Sequence, residues 1–199
     1  MQTIVNNKKK IAVIAWPRCG TEHLEYIPKR HSEWKKTSRT FNDLHVQGYR
    51  FYGAVRHPLE RFKSWFSAFV INTEENTNHD YITNAKNWNV EDCKWFFRHF
   101  EVSMHYDTHT AFQKYLYRNL HIPIPINYFD YKNIDWVCNI PNYKFNTGLG
   151  WKSYIKNKDP KVVGYIEKKA QTIYDSDIKW YESLKLISKK KMTKSLDLL

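Results

Sequence analysis

Two short segments of the chain concentrate residues that could bind a phosphate. The first runs from Trp16 to Leu24 (WPRCGTEHL) and combines the cation of Arg18 with Gly20 and the hydroxyl of Thr21. Glycine lets the backbone approach an anion closely, and the arginine and hydroxyl supply hydrogen-bond donors. This combination predicts an anion-binding loop. An ordinary turn between a strand and a helix is the alternative interpretation.

This loop lacks the marks of two other phosphate chemistries. It has one glycine and no GxxxxGK[ST] pattern, so it is not a Walker A loop. A cysteine-phosphatase loop would need an arginine where Glu25 stands. We therefore interpret Cys19 as structural rather than nucleophilic.

The second segment runs from Val55 to Trp65 (VRHPLERFKSW) and carries phosphate donors at regular spacing. Arg56 follows an apolar run, and a charge at the end of a buried strand needs a partner. Ser64 falls about two turns into the predicted helix, and a hydroxyl beside a bidentate arginine suits a terminal phosphate. Arg61 lies one turn earlier, where it either braces the site or pairs with Glu60.

Both segments sit between a predicted strand and a predicted helix. The apolar runs Ile11–Trp16 and Phe51–Val55 are typical of buried strands. Helical spacing follows each of them, in Thr21–Pro28 and again from Pro58, which suits the first turn of a helix. Two successive strand–loop–helix units predict an α/β fold with a parallel sheet. Phosphate sites in such folds lie where a strand passes into a helix.

The remaining chain is predicted as one continuous domain, 1–199, with basic tails at 1–10 and 187–199. Further elements are expected as follows: an exposed loop Asn72–Asn89, helices Val90–Val102 and Thr110–Leu120, an extended stretch Ile122–Ile126, a strand Asn127–Tyr131, a short helix Asn133–Asn139, a loop Ile140–Asp159 and a long amphipathic helix Lys161–Lys185.

The composition limits the kinds of partner and the cellular compartment that we expect for this chain. A formal net charge of +12 favours anionic partners, among them nucleic acid, an acidic membrane surface, an anionic glycan or a nucleotide. The three cysteines are widely spaced and form no CxxC pair, which argues against a disulfide framework and a zinc knuckle. The apolar run Ile11–Trp16 is too short for a signal peptide or membrane span, so we expect a soluble, cytoplasmic protein.

The two segments together resemble the cofactor motifs of sulfotransferases that use 3′-phosphoadenosine 5′-phosphosulfate (PAPS). The first is similar to their 5′-phosphosulfate loop, usually Pro-Lys-x-Gly-Thr/Ser-Thr/Ser. The second matches their 3′-phosphate motif, Arg-x-Pro-x-x-Arg-x-x-Ser, at Arg56, Pro58, Arg61 and Ser64. The nearest branch is that of the carbohydrate sulfotransferases, which includes the heparan 2-O and chondroitin enzymes.

The resemblance implies a fold, a reaction and a set of site residues. The fold would be a P-loop-like central parallel sheet flanked by helices. The reaction would be in-line transfer of a sulfuryl group from PAPS to a hydroxyl or amine, with a carbohydrate as the expected acceptor and no metal. The implied cofactor-binding residues are Arg18, Cys19, Gly20, Thr21, Glu22, His23, Arg56, Arg61, Ser64 and Asn146, the last in a segment that resembles a late cofactor loop.

The sequence also departs from the family. Arg18 stands where the family usually has lysine, and keeps the charge that would stabilise the leaving bisphosphate. Glu22 and His23 occupy positions where small hydroxyl residues usually bind the 5′-phosphate.

Several residues are candidates for the general base. His45 resembles the position of a catalytic histidine in the heparan 2-O branch, and His109 lies in a segment similar to a family His-x-x-x-Gln segment near the acceptor. The first helix offers further candidates in Glu22, His23 and Glu25.

Three other functions compete with this hypothesis. A P-loop kinase-like phosphotransferase would need a Walker lysine and a magnesium carboxylate, which the sequence does not place. A nucleic-acid-binding module would fit the basic and aromatic composition, but no helix-turn-helix or RNA-binding signature is present, and no specific nucleic acid is expected. A catalytically degenerate protein on the same fold, binding an anionic glycan, would account for Glu22 and His23.

Overall fold

The protein has an α/β fold built on a five-stranded mixed sheet. The computed structural model describes residues 1–71, 85–122, 124–140 and 149–187. These residues form strands β1 (Gln2–Asn6), β2 (Ile11–Ala15), β3 (Trp34–Lys36), β4 (Arg50–Val55) and β5 (Asn127–Asp130). They also form helices α1 (Thr21–Arg30), α2 (Phe41–Val46), α3 (Pro58–Phe66), α4 (Val90–Ser103), α5 (Gln113–Arg118), α6 (Ile134–Val137), α7 (Leu149–Lys156) and α8 (Pro160–Ser183).

The chain divides into two compact units that alternate along the sequence. The first comprises Met1–Arg56, Gln113–Phe145 and Tyr181–Leu199, and contains the sheet. The second comprises His57–Phe112 and Asn146–Trp180. Neither unit is a continuous stretch of chain, so no linker composition marks their boundary in the sequence.

The sheet of the first unit is only partly parallel. Its strand order is β3-β1-β2-β4-β5, and β2, β4 and β5 run parallel to one another. Strand β1 runs antiparallel to both of its neighbours. The prediction of a parallel sheet was therefore wrong for β1, because strand pairing across the sheet is not visible in local sequence.

Strand β1 also corrects the prediction of a basic tail at 1–10. Ile4 and Val5 have no exposed surface, and five residue pairs join β1 to β2. The lysines that suggested a tail, Lys8–Lys10, occupy the turn between these two strands. The predicted tail at 187–199 lies outside the described residues from position 188 onward.

Strands β2 and β4 form because their residues are buried on both faces of the sheet. All five residues of β2 are fully buried. On one face, Leu24 and Ile27 of α1 join a core with Val13 and Ala15. On the other face, Gly53 of β4 allows close packing, since a Cβ there would lie 2.9 Å from the Cγ2 of Ile126.

The second unit is a helical body with an aromatic core. Rings of α3 and α4 pack in edge-to-face and tilted pairs, with centroids 5.8 Å apart for Phe62–Phe100 and 5.1 Å apart for Trp65–Phe100. Tyr174 of α8 reaches the same core and donates a hydrogen bond of 2.6 Å to the carbonyl of Thr110. Such offset and edge-to-face ring pairs stabilise a core beyond their buried area.

Candidate anion site

The candidate site begins with the loop of residues 16–20, which leaves β2 and enters α1. Strands β2 and β4 are parallel and Ala15 lies opposite Ala54, so the loop and Arg56 leave the same edge of the sheet. Val55 in turn lies opposite Asp130, which brings Tyr131 to that edge as well. The carboxyl edge of parallel strands is where α/β folds place their ligands.

The loop adopts a conformation that ordinary residues rarely take. Arg18 has a φ of 64° and Gly20 a φ of 94°, both in the left-handed region. The amide of Cys19 donates to the carbonyl of Trp16 at 2.9 Å, which closes a tight turn before the helix. Gly20 is the N-cap of α1 and has no side chain to cap it, so no capping side chain competes with an anion for the first helical N–H groups.

Two guanidinium groups meet at this loop. Nη1 of Arg56 donates to the carbonyl oxygen of Arg18 at 3.2 Å, and the same guanidinium lies over the ring of Tyr131, 4.6 Å from its centroid. Nη1 of Arg18 lies 3.4 Å from Oε1 of Glu22. The side chain of Arg18 is only 18% exposed, whereas that of Glu22 is 77% exposed.

The electrostatics of the pair favour an added anion. The pKa of Arg18 is lowered from its ordinary value by burial of the guanidinium; Glu22 opposes this shift and the charge of Arg56 adds to it. Arginine nevertheless stays protonated in proteins. Two partly buried positive charges near a helix N-terminus, balanced by one exposed carboxylate, form a site that a multiply charged anion stabilises.

Gln113 links the two halves of the site. Its Oε1 accepts a hydrogen bond from the Sγ of Cys19 at 3.1 Å and another from the amide of Arg56 at 3.0 Å. Its Nε2 donates to the carbonyl of Arg56 at 2.6 Å. Gln113 is fully buried, so one side chain fixes both the loop and the residue that follows β4.

Cys19 has a structural role in this arrangement. It is fully buried, and its thiol donates to Gln113 while its amide donates within the loop. These contacts agree with the structural interpretation of Cys19. Cys93 and Cys138 are also buried free thiols.

His23 and Glu25 lie on α1 directly after the loop. The pKa of His23 is lowered by burial, an effect that Glu22 opposes, so its imidazole is mainly neutral at pH 7. Nδ1 of His23 lies 4.0 Å from the position that a Cβ on Gly20 would occupy. Glu25 accepts a hydrogen bond of 2.8 Å from Nε2 of Gln2, which ties α1 to β1.

The structure does not bring His45 to this site. His45 lies in α2 and precedes β4, whose six residues separate it from Arg56. The amide of Arg50, at the start of β4, bonds to the carbonyl of Lys10, just before β2. His45 therefore lies at the amino edge of the parallel strands, opposite the loop, and its prediction as the base is corrected on this ground.

Residues of the second segment beyond Arg56 belong to the second unit. Arg61 is 1% exposed, and its Nη1 donates to the carbonyl of Ala111 at 2.6 Å while its Nη2 donates to that of Thr108. These contacts hold the 108–111 segment. Ser64 is half-buried within α3.

His109 lies in the segment that Arg61 holds. Its Nδ1 is 2.8 Å from Oδ1 of Asp107, and its ring packs edge-on against Phe69 at 5.3 Å. Burial raises the pKa of Asp107, but hydrogen bonds from His109 and the charges of His109 and Arg61 lower it by more, so it ends below its ordinary value. Asp107 thus orients the imidazole. Asn146 lies outside the described residues.

The sequence marked Gln113 only as the glutamine of the His-x-x-x-Gln segment, and it gave Tyr131 no role. Their contacts join residues far apart along the chain, and only a fully buried amide at the start of α5 marks Gln113 in the structure. Within the described part of the chain, no group of three or more histidine, cysteine or acidic residues could hold a metal ion. None of the described helices has the length and apolar character needed to cross a membrane.

Comparisons with protein-family models, with curated proteins and with solved structures find no significant match for this chain.

Proposed function

We propose that this chain is a PAPS-dependent sulfotransferase whose cofactor binds at the loop of residues 16–20. The observation that carries the proposal is the pair Arg18 and Arg56, which meets at the carboxyl ends of two adjacent parallel strands. The order strand–PRCGT–helix and strand–RHPLERFKS is also that of the family's two cofactor motifs. The assignment of the α/β sheet to a P-loop-like sulfotransferase fold is part of this proposal.

The residues present fit an anionic nucleotide. Gly20 suits the loop, since its φ of 94° lies in the left-handed region, where a side chain would be strained. Arg18 and the first N–H groups of α1 stabilise negative charge at the 5′ end. Arg56 anchors the 3′-phosphate. When bound, PAPS supplies the sulfuryl group and leaves as 3′,5′-adenosine bisphosphate (PAP).

Proton removal from the acceptor falls to a residue of α1. His23 is the histidine that the first unit places beside the loop, and its lowered pKa keeps it in the neutral form that accepts a proton. Glu22, which replaces a small hydroxyl residue of the family, accepts a hydrogen bond from Arg18. The acceptor is a hydroxyl or amine compound, with a carbohydrate as the expected class.

Thermal unfolding with PAP, ATP and AMP tests this function. A ligand that binds only the native state raises the melting temperature. We expect PAP to stabilise the protein more than ATP or AMP. Arg56→Gln keeps a donor for the carbonyl of Arg18 but removes the charge, so it should lose the PAP shift. Arg118→Gln, at an exposed site in α5, should keep it.

Three outcomes would count against the proposal. An equal shift of the melting temperature with ATP would favour a kinase-like phosphotransferase. No shift with PAP would contradict the assignment of PAPS as the cofactor. Binding of PAP without transfer of ³⁵S from labelled PAPS to any saccharide pool would favour the degenerate, binding-only alternative.

A further inference from the structure

A polar cavity lies in the first unit, apart from the arginine pair. Its volume is about 420 Å³, within the range of roughly 300–1,000 Å³ that is common for small-ligand sites. Much of its wall comes from residues 37–42, which join β3 to α2 and begin that helix, and Met1, Thr3, Leu120 and His121 complete the lining. None of the described residues that line it is acidic.

The cavity combines an aromatic ring with polar groups that reach solvent. Phe41 is half-buried: its ring packs edge-on against Phe51, with the centroids 5.9 Å apart, and it also lines the cavity. Ser38 and Asn42 are exposed at the wall. A nucleobase stacks on such a ring, and the hydroxyl and amide can bond to the donors and acceptors at its edge.

Arg39 connects this cavity to a turn that carries three lysines. It lines the cavity, and its Nη2 donates to Oδ1 of Asn7 at 2.8 Å. Asn7 and Lys8–Lys10 form the turn between β1 and β2. The charged groups of Arg39 and Lys10 both lie over the ring of Tyr49, 5.2 and 4.9 Å from its centroid. Four positive charges therefore begin at the cavity wall and continue along the turn.

These cations are available to an external anion. Lys8 and Lys10 are exposed. Among the described residues, no carboxylate forms an ion pair with the lysines of the turn or with Arg39. Asp43 is the acid whose charge acts on Arg39, and hydrogen bonds from Thr40 already occupy its carboxylate. A cluster of like charges without carboxylate partners attracts a polyanion.

The lysine turn and the anion loop lie at opposite edges of the parallel strands. The turn leads into β2, whereas the loop of residues 16–20 follows it. The amide of Arg50, at the start of β4, bonds to the carbonyl of Lys10, which fixes the turn at the amino edge. A ligand on the turn therefore leaves the arginine pair unoccupied, and the two sites can be tested separately.

We propose that this surface binds single-stranded nucleic acid, with one base in the cavity and the neighbouring phosphates on Arg39 and Lys8–Lys10. An aromatic ring beside a row of cations holds single strands without any sequence signature. A duplex keeps its bases stacked and paired, so it cannot place one in the cavity. An acidic bilayer would meet the lysines but would leave the polar cavity unused. The proposal does not depend on the sulfotransferase function.

Fluorescence anisotropy of a labelled single strand of about twelve nucleotides, with and without PAP, tests the proposal over roughly 50–200 mM KCl. We expect log K to fall with log salt at a slope of roughly −3, since each of four neutralised phosphates contributes about −0.7. A strand of equal length with abasic residues keeps its phosphates. It should show the same slope but bind about five- to fiftyfold more weakly, because no base stacks on Phe41.

Variants of the protein test the two halves of the surface. Lys8→Gln with Lys10→Gln should reduce the size of the slope by about 1.4, as two lost phosphate contacts imply. The matched control, Lys161→Gln with Lys168→Gln at exposed positions of α8, removes the same charge and should leave the slope unchanged. Phe41→Leu should abolish the preference for the intact over the abasic strand.

Asn42→Ala keeps the test open if Phe41→Leu does not fold. Its side chain is exposed, so the fold should not change, and the preference for the intact strand should fall about three- to tenfold.

Several results would overturn the proposal. One is equal affinity of the wild type for the intact and abasic strands, and another is an equal effect of the two lysine pairs, which would indicate diffuse charge. Duplex that binds more tightly than the single strand would exclude the base in the cavity. Vesicles with about 30% phosphatidylserine that bind as tightly, and lose affinity in the Lys8 and Lys10 variant, would assign the surface to membranes.

Titration with and without PAP separates this proposal from the proposed function. The strand should bind equally in both conditions, and its displacement by PAP would place it at the arginine pair and overturn the inference. A failure of PAP to bind, with strand binding and its dependence on the lysine turn intact, would contradict the proposed function alone.

Discussion

At the residue scale, the site depends on a few side chains that hold others in place. Gln113 bonds to both the amide and the carbonyl of Arg56 and to the thiol of Cys19. It approaches no proposed reacting group itself, so we regard it as a positioning residue. Its effect on function should therefore be measurable through Arg56.

Replacing Gln113 by methionine should weaken both the fold and the anion site. The change keeps the volume but leaves the backbone groups of Arg56 without their buried partners, which costs about 1–3 kcal/mol per group. Urea unfolding should show the loss of stability, and calorimetry at a temperature where the variant is folded should show weaker PAP binding.

Gln113→Glu separates positioning from general stability. A glutamate accepts from Cys19 and Arg56 in either form but donates to the carbonyl of Arg56 only when protonated. PAP affinity of this variant should therefore improve as pH falls, unlike that of the methionine variant. A flat pH dependence would contradict the positioning role.

His23 gives the protein a pH-dependent stability. Because burial lowers its pKa below the ordinary 6.5, the unfolded chain takes up the proton first as pH falls. The contribution of His23 to the free energy of unfolding is therefore full above pH 6.5, the pKa in the unfolded chain. It is lost as the pH falls from that value toward the lower pKa of the folded protein. His23→Gln should reduce the dependence of the unfolding free energy on pH between 5 and 7.5. An unchanged slope would show that His23 is not buried in this way.

At the element scale, β4 depends on the small size of Gly53. A Cβ at this position would lie 2.9 Å from Ile126, 3.0 Å from Tyr117 and 3.1 Å from Tyr128. Gly53→Ala should destabilise the protein by about 1–3 kcal/mol through overpacking. Chemical denaturation measures this, and Gly164→Ala is the matched control, since nothing lies within 4 Å of a Cβ there. Equal stability of both variants would contradict the packing described for β4.

The elements that the sequence predicts well are those with strong local signals. Continuous apolar runs locate β2 and β4 to within one residue, and helical spacing locates α1, α3, α4 and α8 closely. Strand β1 was missed because polar and basic residues surround its short apolar centre. Helix α7 was predicted as loop, because Gly148 and Gly150 in the sequence argued against a helix.

The same contrast holds for the candidate site: local sequence predicts some of its residues, but not the contacts between residues far apart in the chain. Arg18 and Arg56 are predictable because each follows a buried strand directly. The bond from Cys19 to Gln113 joins residues 94 positions apart, and no local pattern encodes it. Likewise, His45 looked adjacent to β4 in sequence, but the direction of that strand places it at the opposite edge from Arg56.

At the scale of the whole molecule, a net charge of +12 and a concentrated arginine pair have different consequences. The diffuse charge attracts any polyanion and is screened by salt. The arginine pair is partly buried and combined with a helix N-terminus, so it should discriminate among anions by geometry. Selectivity for the 3′-phosphate, rather than affinity for anions in general, is therefore the property that defines the proposed function.

The ratio of the dissociation constants of AMP and PAP, measured by calorimetry at 150 mM salt, tests this claim most directly. The two ligands differ by the 3′-phosphate alone. We predict that the wild type binds PAP about ten- to a hundredfold more tightly than AMP, as a charged hydrogen-bonded pair provides. Arg56→Gln should bring the ratio close to one, whereas Arg118→Gln should preserve it. Equal affinities in the wild type, or an unchanged ratio in Arg56→Gln, would contradict the account.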